Sequence, residues 1–329
     1  MRAIQIFTPG GPEVLTEVEV ETPKPAPGEC RVKAEVIGIG RPDILVRKGV
    51  YKWMPPLPVI PGSEMVGIVD SIGTGVDESI RGRRVLVSSR ELRVRAGCCA
   101  EYICVPSHSL YILPDSINPI DAASLPNLQF ANALWMCNGE QSIESILIPG
   151  ASGGVASILT KFAHYKNAQV IGTTSSIAKR KYILDNGIDH LFDNRTENLP
   201  ASVLEVTAGR GVSLAIDQLG GASLVACLKS LAPMGMVVSI NIINGLPKEN
   251  VFEEMRALLT KSLAIRTFSM HSLDEDPVQR RQLMDMAIQQ MARGQVKAPI
   301  STVMKMSEIQ LAHQKLDEGT SMGKIVLQP

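Results

Sequence analysis

The apolar run Ile146-Leu-Ile-Pro-Gly150 breaks into Ala151-Ser-Gly-Gly-Val155 and then re-enters a helical pattern through Ala156, Ser157 and Ile158. Residues of these types in this order can hold a phosphate. The small side chains of Ala151, Ser152, Gly153 and Gly154 let backbone approach a pyrophosphate, and a helix starting near Val155 aims its first amides at the anion. Ala156 stands where a dinucleotide fingerprint has its third glycine, and it still permits close packing of helix on strand. Glycine turns are common in loops, so the turn by itself indicates only an anion. About 20 residues further on, NAD-preferring folds carry a carboxylate for the ribose hydroxyls. Here those positions read Thr173-Thr-Ser-Ser-Ile-Ala-Lys-Arg180, without a carboxylate. Hydroxyls at Thr174, Ser175 and Ser176, with cations at Lys179 and Arg180, suit a 2′-phosphate. The expected cofactor is therefore NADP(H), although one of the two cations faces solvent on the next helix in any case.

These residues need a parallel sheet to position them. From about Ala122 to Lys261 short apolar strands (Ser145 to Ile148, Gln169 to Thr173, His190 to Phe192, Leu214 to Asp217, Met236 to Ile240) alternate with helical stretches (Val155 to Tyr165, Ala178 to Asn186, Ala222 to Leu231, Val251 to Leu259). That alternation predicts an α/β, doubly wound Rossmann domain over residues 122–261. Before it, short β-branched segments punctuated by Pro and Gly (Arg2 to Phe7, Leu15 to Val20, Cys30 to Ile37, Val66 to Ile72, Arg84 to Ser88, Glu101 to Val105) predict a β-rich domain. Arg41 to Gly49 reads as one short helix, with Pro42 at its start, Asp43 in its first turn and Gly49 at its end. After residue 261 come a strand (Leu263 to Phe268), a long helix (Pro277 to Arg293) and a final strand (Lys324 to Gln328). Residues 1–121 and 262–329 are expected to form one β-rich substrate domain around the nucleotide domain.

Composition narrows the classes of function. A chain of 329 residues exceeds what one core usually serves, which favours two domains. Thirty-three basic residues balance 33 acidic ones, which argues against a nucleic-acid partner. The first residues lack a secretory pattern and no apolar run is long enough to cross a bilayer, so the expected setting is cytoplasmic, without a membrane partner. Cys30, Cys98, Cys99, Cys104, Cys137 and Cys227 lack metal-type pairing and read as free thiols in a reducing compartment.

Several strings in order carry a family resemblance: Gly28-Glu29, Gly38-Ile-Gly40 with Asp43, Arg47-Lys-Gly-Val-Tyr51, Pro61-Gly-Ser-Glu-Met-Val-Gly67, Gly82-Arg-Arg-Val-Leu86, Ala151-Ser-Gly-Gly-Val155, Asp217-Gln-Leu-Gly220 and Gly323-Lys-Ile-Val-Leu327. Over essentially its whole length the chain resembles the medium-chain dehydrogenase/reductase superfamily, within its zinc-independent quinone oxidoreductase and enoyl reductase branch. The resemblance implies a GroES-like substrate domain, a site in the cleft between the domains, and a homodimer joined through edge strands near Val237 to Ile242. It extends the expected cofactor contacts to Asn194, Leu219, Asn241, Phe268 and Lys324, and it places Gly40, Arg41, Tyr51, Trp53 and Phe130 around the substrate. Lys324 could equally face water, and Asp217 could meet the cofactor side or form a local cap.

Zinc relatives carry a Cys where this chain has Gly40 and a His where it has Ser63, and the cysteine quartet of their structural zinc lobe is missing. No metal is expected. Without a metal to polarise a carbonyl, the chemistry that remains is hydride transfer to an activated C=C bond or a quinone, with a donor for the enolate. Tyr51 matches the tyrosine that related enoyl-thioester reductases use as donor or orienting hydroxyl, and its bland alternative is an aromatic wall beside Trp53 and Met54. Departures from the family pattern are Gly40 for a nicotinamide-contacting Asn, the adjacent Arg41, Phe130 for a cofactor-contacting Thr, and Asn194 for a phosphate-contacting Tyr. Glu64, without a metal, reads as a buried hydrogen-bond partner, and none of the five histidines has a nucleophile partner at a recognisable motif. Two other outcomes stay open: a quinone reductase with no specific enoyl substrate, and a cofactor-binding protein without turnover.

Overall fold

The computed structural model describes residues 1–139, 141–299 and 302–329. The chain forms two compact units, the first made of Met1–Pro126, Ile288–Gly294 and Ala298–Pro329, the second of Asn127–Ala287 and Gln295–Lys297. In the first unit β1 (Arg2–Gln5) and β2 (Thr16–Glu19) make a small antiparallel pair. The main sheet is built around β3 (Glu29–Ile39), which leads into α1 (Arg41–Arg47) and pairs antiparallel with β4 (Glu64–Ile72). Next come β5 (Arg84–Ser88), β6 (Tyr102–Pro106), β7 (Tyr111–Ile112) and the short helix α2 (Pro119–Ala122). Alternating apolar residues, mostly valine, make these strands: Cys30, Val32, Met65, Val69, Val85, Val87 and Val105 turn inward and pack as one core. Each such side chain contributes roughly 1.5–3 kcal/mol by leaving water.

The second unit opens with α3 (Leu125–Met136) and carries a six-stranded parallel sheet. Its strands are β8 (Ser145–Ile148), β9 (Gln169–Thr174), β10 (His190–Asp193), β11 (Val212–Asp217), β12 (Leu231–Ser239) and β13 (Ala264–Thr267). Between them run α4 (Gly154–Tyr165), α5 (Ile177–Asp185), α6 (Leu199–Val206), α7 (Ala222–Lys229) and α8 (Val251–Ala257), and α9 (Pro277–Ala292) follows β13. The spatial order β10-β9-β8-β11-β12-β13 is the doubly wound order, with its switch point between β8 and β11. The strand ends that carry chemistry therefore share one edge of this sheet.

Two expectations are corrected here. Residues 262–287 belong to the second unit, because Ala264 to Thr267 pair in register with Met236 to Ser239 of β12. A short apolar strand reads alike in either sheet, and only tertiary pairing decides which it joins. In consequence β12 has a partner on each side, and the edge strands of the sheet are β10 and β13 rather than Val237 to Ile242.

The chain returns to the first unit with β14 (Thr302–Lys305), α10 (Ile309–Asp317) and β15 (Ile325–Gln328). β15 pairs with the C-terminal half of β3 and β6 with its N-terminal half. This pairing brings Lys324 beside Gly38 to Gly40. Helix α1 is anchored from below by charge: Arg47, fully buried, donates from Nε to the Gly10 carbonyl and from Nη2 to Asp317, which also takes Lys48 Nζ.

His313 of α10 is fully buried near this cluster, with neither ring nitrogen hydrogen-bonded among the described residues. Burial, joined by the Arg47 charge, pushes its imidazole from 6.5 down to about 3. The unfolded chain thus takes up a proton that the folded chain refuses between these values. Stability is expected to fall as pH drops below 6.5, by about 2 kcal/mol near pH 5. Urea denaturation of wild type and His313→Leu across this range checks it; an equally steep slope in the variant would assign the loss to other groups.

Candidate functional site

In the second unit the glycine turn sits at the switch point. β8 delivers the chain through Pro149 to Gly150, whose φ of +66° suits glycine. Gln218, just after β11, donates from Nε2 to the carbonyls of Pro149 and Gly150, both at 2.9 Å, and so ties together the two loops that flank the crevice. A side chain on Gly150 would meet that amide at 3.2 Å. From the other side β9 holds the turn: Ala151 N donates to the Thr173 carbonyl at 3.0 Å, and Gly150 N to Thr173 Oγ1 at 3.3 Å. Helix α4 starts at Gly154 with Gly153 as its N-cap and no side-chain cap. The amides of its first turn have no helical partner, which is the chemistry that receives an anion.

At the end of β9, Thr174 Oγ1 accepts the Ser176 amide at 3.1 Å, and Ser175 is exposed. Lys179 and Arg180 follow on α5, both half-buried. Burial pushes the Lys179 ammonium below its usual value, so a nearby dianion would relieve a cost already present. Arg180 reaches back toward the Leu191 carbonyl of β10 at 3.5 Å. Asn194 and Leu219 line one cavity of about 620 Å³ on this unit, with Thr173, Gly221, Asn244 and Lys248 among its other walls. Asn241 turns its side-chain oxygen onto the Ile242 amide, and Phe268 stacks on Phe130 with ring centroids 5.8 Å apart. Asp217 is a local cap, accepting from Leu219 N, Gly220 N and Ser223 Oγ.

The first unit holds a buried polar cluster. Gly40 N donates to Asp43 Oδ2 at 2.8 Å, and Ser63 Oγ donates to Asp43 Oδ1 at 2.9 Å. Lys324 is ion-paired with Glu64, and both are buried. A Cβ on Gly38 would lie 2.5 Å from Glu64 Oε1, so glycine there is what lets Glu64 lie across β3. Burial raises the Asp43 carboxyl, opposed by its bonds from Gly40 and Ser63, and burial lowers Lys324 to about 8, opposed by the Asp43 charge. The alternative that Lys324 faces water is corrected: it is 4% exposed and engaged by Glu64. Tyr51, like Met54 and Ile60, is half-buried against the core of the first unit, with its ring 5.7 Å from that of Trp53. Arg41 is exposed.

Two members of these constellations escaped sequence reasoning. Gln218 lay within the Asp217-Gln-Leu-Gly220 string, but nothing local says that a glutamine side chain will clamp a turn 68 residues upstream. The Ser63 to Asp43 bond had a partial signal, since Asp43 stands three residues after Gly40, as a capping carboxylate does.

A glycine turn at the switch point of a doubly wound sheet, in a chain that also carries a GroES-like β unit, defines a nucleotide-dependent dehydrogenase fold. Residues 26–115 match the alcohol dehydrogenase GroES-like domain family, and residues 186–327 match the zinc-binding dehydrogenase family. Quinone oxidoreductase of Rattus norvegicus is 28% identical, with 99% of this chain and 97% of that protein covered. The Homo sapiens synaptic vesicle membrane protein VAT-1 homolog is also 28% identical, over 93% of this chain and 80% of that protein. Among solved structures, Escherichia coli quinone oxidoreductase complexed with NADPH superposes with a TM-score of 0.83 at 26% identity, covering 100% of both chains. A Pseudomonas syringae pv. Tomato DC3000 quinone oxidoreductase gives 0.86 at 27% identity, covering 100% of this chain and 99% of that one. The chain belongs to the medium-chain dehydrogenase/reductase superfamily, in its quinone oxidoreductase branch. None of the helices among the described residues is long and apolar enough to cross a membrane.

The zinc in the name of one matching family does not fit these residues. Gly40 has no donor, Ser63 is spent on Asp43, and Glu64 is spent on Lys324. Among the described residues no three His, Cys, Asp or Glu side chains gather as a metal ion would require.

Proposed function

We propose that this chain is an NADPH-dependent, zinc-independent reductase that transfers hydride to an activated C=C bond, in an α,β-unsaturated carbonyl compound or enoyl thioester, or to a quinone. The observation that carries this reading is the end of β9, where exposed Ser175, with Ser176, Lys179 and Arg180, stands without a carboxylate beside the uncapped turn of α4. In this reading the turn amides from Ser152 to Val155 hold the pyrophosphate, and the hydroxyls and cations after Thr174 hold the 2′-phosphate. Asn194 and Leu219 wall a cavity that Thr173, the last residue but one of β9, also lines. Reduced nicotinamide, when bound, supplies the hydride. Tyr51 donates a hydrogen bond to the enolate oxygen that forms as the double bond is reduced.

Substituting Tyr51→Phe is expected to lower kcat about 100-fold, the range for loss of a general acid, with a smaller change in KM. Full turnover in the variant would make Tyr51 a wall of the pocket. NADPH consumption against matched quinones, enones and enoyl thioesters tests the reaction class. Activity confined to quinones would remove the enoyl half of the proposal, and NADPH binding without consumption by any acceptor would leave a cofactor-binding protein. We also propose a homodimer, joined through the open edge of β13 with the exposed Ile242, Ile243 and Leu246 nearby in sequence to its partner strand β12. Light scattering at the monomer mass would remove it.

A further inference from the structure

We infer that Arg195 sets the choice between the two nucleotides: its guanidinium masks the Asp193 carboxylate, which would otherwise hold ribose hydroxyls, and turns its outer end to the 2′-phosphate. The inference rests on the NADPH reading above, and it adds the pair of residues that decides the preference.

No carboxylate stands on the segment after Thr174, but the fold brings one beside it. β10 runs parallel to β9 with Asp193 in register with Thr174, and neighbouring strands lie about 4.8 Å apart. Half-buried Asp193 therefore sits at the sheet edge where NAD-preferring folds use a carboxylate, although it reaches that edge from the next strand. Its oxygens are already engaged. Arg195 Nε donates to Asp193 Oδ1 at 3.1 Å and Arg195 Nη2 donates to Oδ2 at 2.9 Å, while the Arg195 amide adds a bond to Oδ1 at 3.0 Å. These bonds, joined by the Arg180 charge, bring the carboxyl down to about 2. Asp193 is thus ionised and spent on the guanidinium at any working pH.

The clamp uses one edge of that guanidinium. The N–H groups at its Nη1 and Nη2 end take no further partner among the described residues, and the side chain is 55% exposed. A planar guanidinium fixed by a carboxylate on one edge is oriented to fork a phosphate on the other. Arg180 reaches along β10 to the Leu191 carbonyl, and Glu197 Oε1 accepts the Asp193 amide at 2.7 Å. With Arg195 in place, Arg180 and Arg195 balance Asp193 and Glu197. Without it, the two carboxylates outnumber Arg180, and Asp193 can accept from ribose. A plain surface pair, in which Arg195 only closes the turn after β10, predicts no effect on nucleotides.

The test compares 2′,5′-ADP with 5′-AMP by titration calorimetry, because the two ligands differ only in the 2′-phosphate and need no turnover. Wild type should bind 2′,5′-ADP at least about tenfold more tightly. In Arg195→Ala that preference should fall about 30-fold, with 2′,5′-ADP weakened and 5′-AMP strengthened. Adding Asp193→Asn should abolish the gain in 5′-AMP while 2′,5′-ADP stays weak, which unmasking predicts and loss of a cation alone does not. Arg210→Gln removes another exposed cation, one paired with Glu144, and should leave the preference unchanged. No preference in the wild type, or no binding, sinks the NADPH reading and the inference together. A preference that survives Arg195→Ala, 5′-AMP binding that does not tighten in that variant or that stays tight after Asp193→Asn, or an equal fall in Arg210→Gln overturns the inference alone.

Discussion

Replacing Lys324 with methionine is expected to destabilise the chain by about 3–5 kcal/mol, because it strands the Glu64 carboxylate without its counter-charge. Both partners are nearly out of water, with Lys324 4% and Glu64 6% exposed. Asp43 is close enough for its charge to bear on Lys324, so removal of the ammonium leaves two buried carboxylates near one another. Although burial brings the Lys324 ammonium down to about 8, it is still protonated at neutral pH and still offsets them. Replacing both members of the pair, Glu64→Leu with Lys324→Met, is expected to recover most of the loss, since an apolar pair of similar volume carries no desolvation cost. Urea denaturation of the three proteins measures this. A loss below about 1 kcal/mol in Lys324→Met would mean that the pair is solvated like an exposed one.

Replacing Ser175 with glutamate is expected to weaken NADPH binding about 100-fold and to strengthen NADH binding. The new carboxylate would stand at the end of β9, where NAD-preferring folds put the group that binds ribose hydroxyls. Against a 2′-phosphate it is a like charge at close range, and at an effective dielectric of about 20 such a contact costs a few kcal/mol, more than the roughly 2.7 kcal/mol that 100-fold requires. Ser175 is exposed at a strand end, so the change should leave the fold intact. Dissociation constants for both nucleotides check it. An unchanged NADPH constant would place the 2′-phosphate elsewhere.

The parts of this molecule that the sequence made legible are those written in local pattern. The strand Ser145–Ile148 and the turn after it were readable because a buried parallel strand is a short unbroken apolar run and a phosphate turn needs small residues beside it. Strand β5 (Arg84–Ser88) was readable for the same kind of reason. What was not legible depends on partners distant in the chain. Leu263 to Phe268 reads as a strand, but its place beside β12 comes from tertiary pairing. Helix α10 was hidden because its buried face includes His313, a residue that no apolar pattern would include. Lys324 looked like a surface or phosphate-binding lysine, since nothing nearby in sequence announces that Glu64, 260 positions away, will enclose it. For the candidate site, the glycine turn and the hydroxyls and cations after Thr174 could be listed from residue types, while Gln218 and the Asp43 to Ser63 bond needed the fold.

The most direct test of the cofactor and reaction together is kcat/KM for NADPH and for NADH, measured with whichever quinone or enone the chain turns over best. The proposed 2′-phosphate contact after Thr174 predicts that NADPH is preferred at least about tenfold, which corresponds to one charge-assisted hydrogen bond retained in the transition state. Equal efficiency with NADH would contradict it.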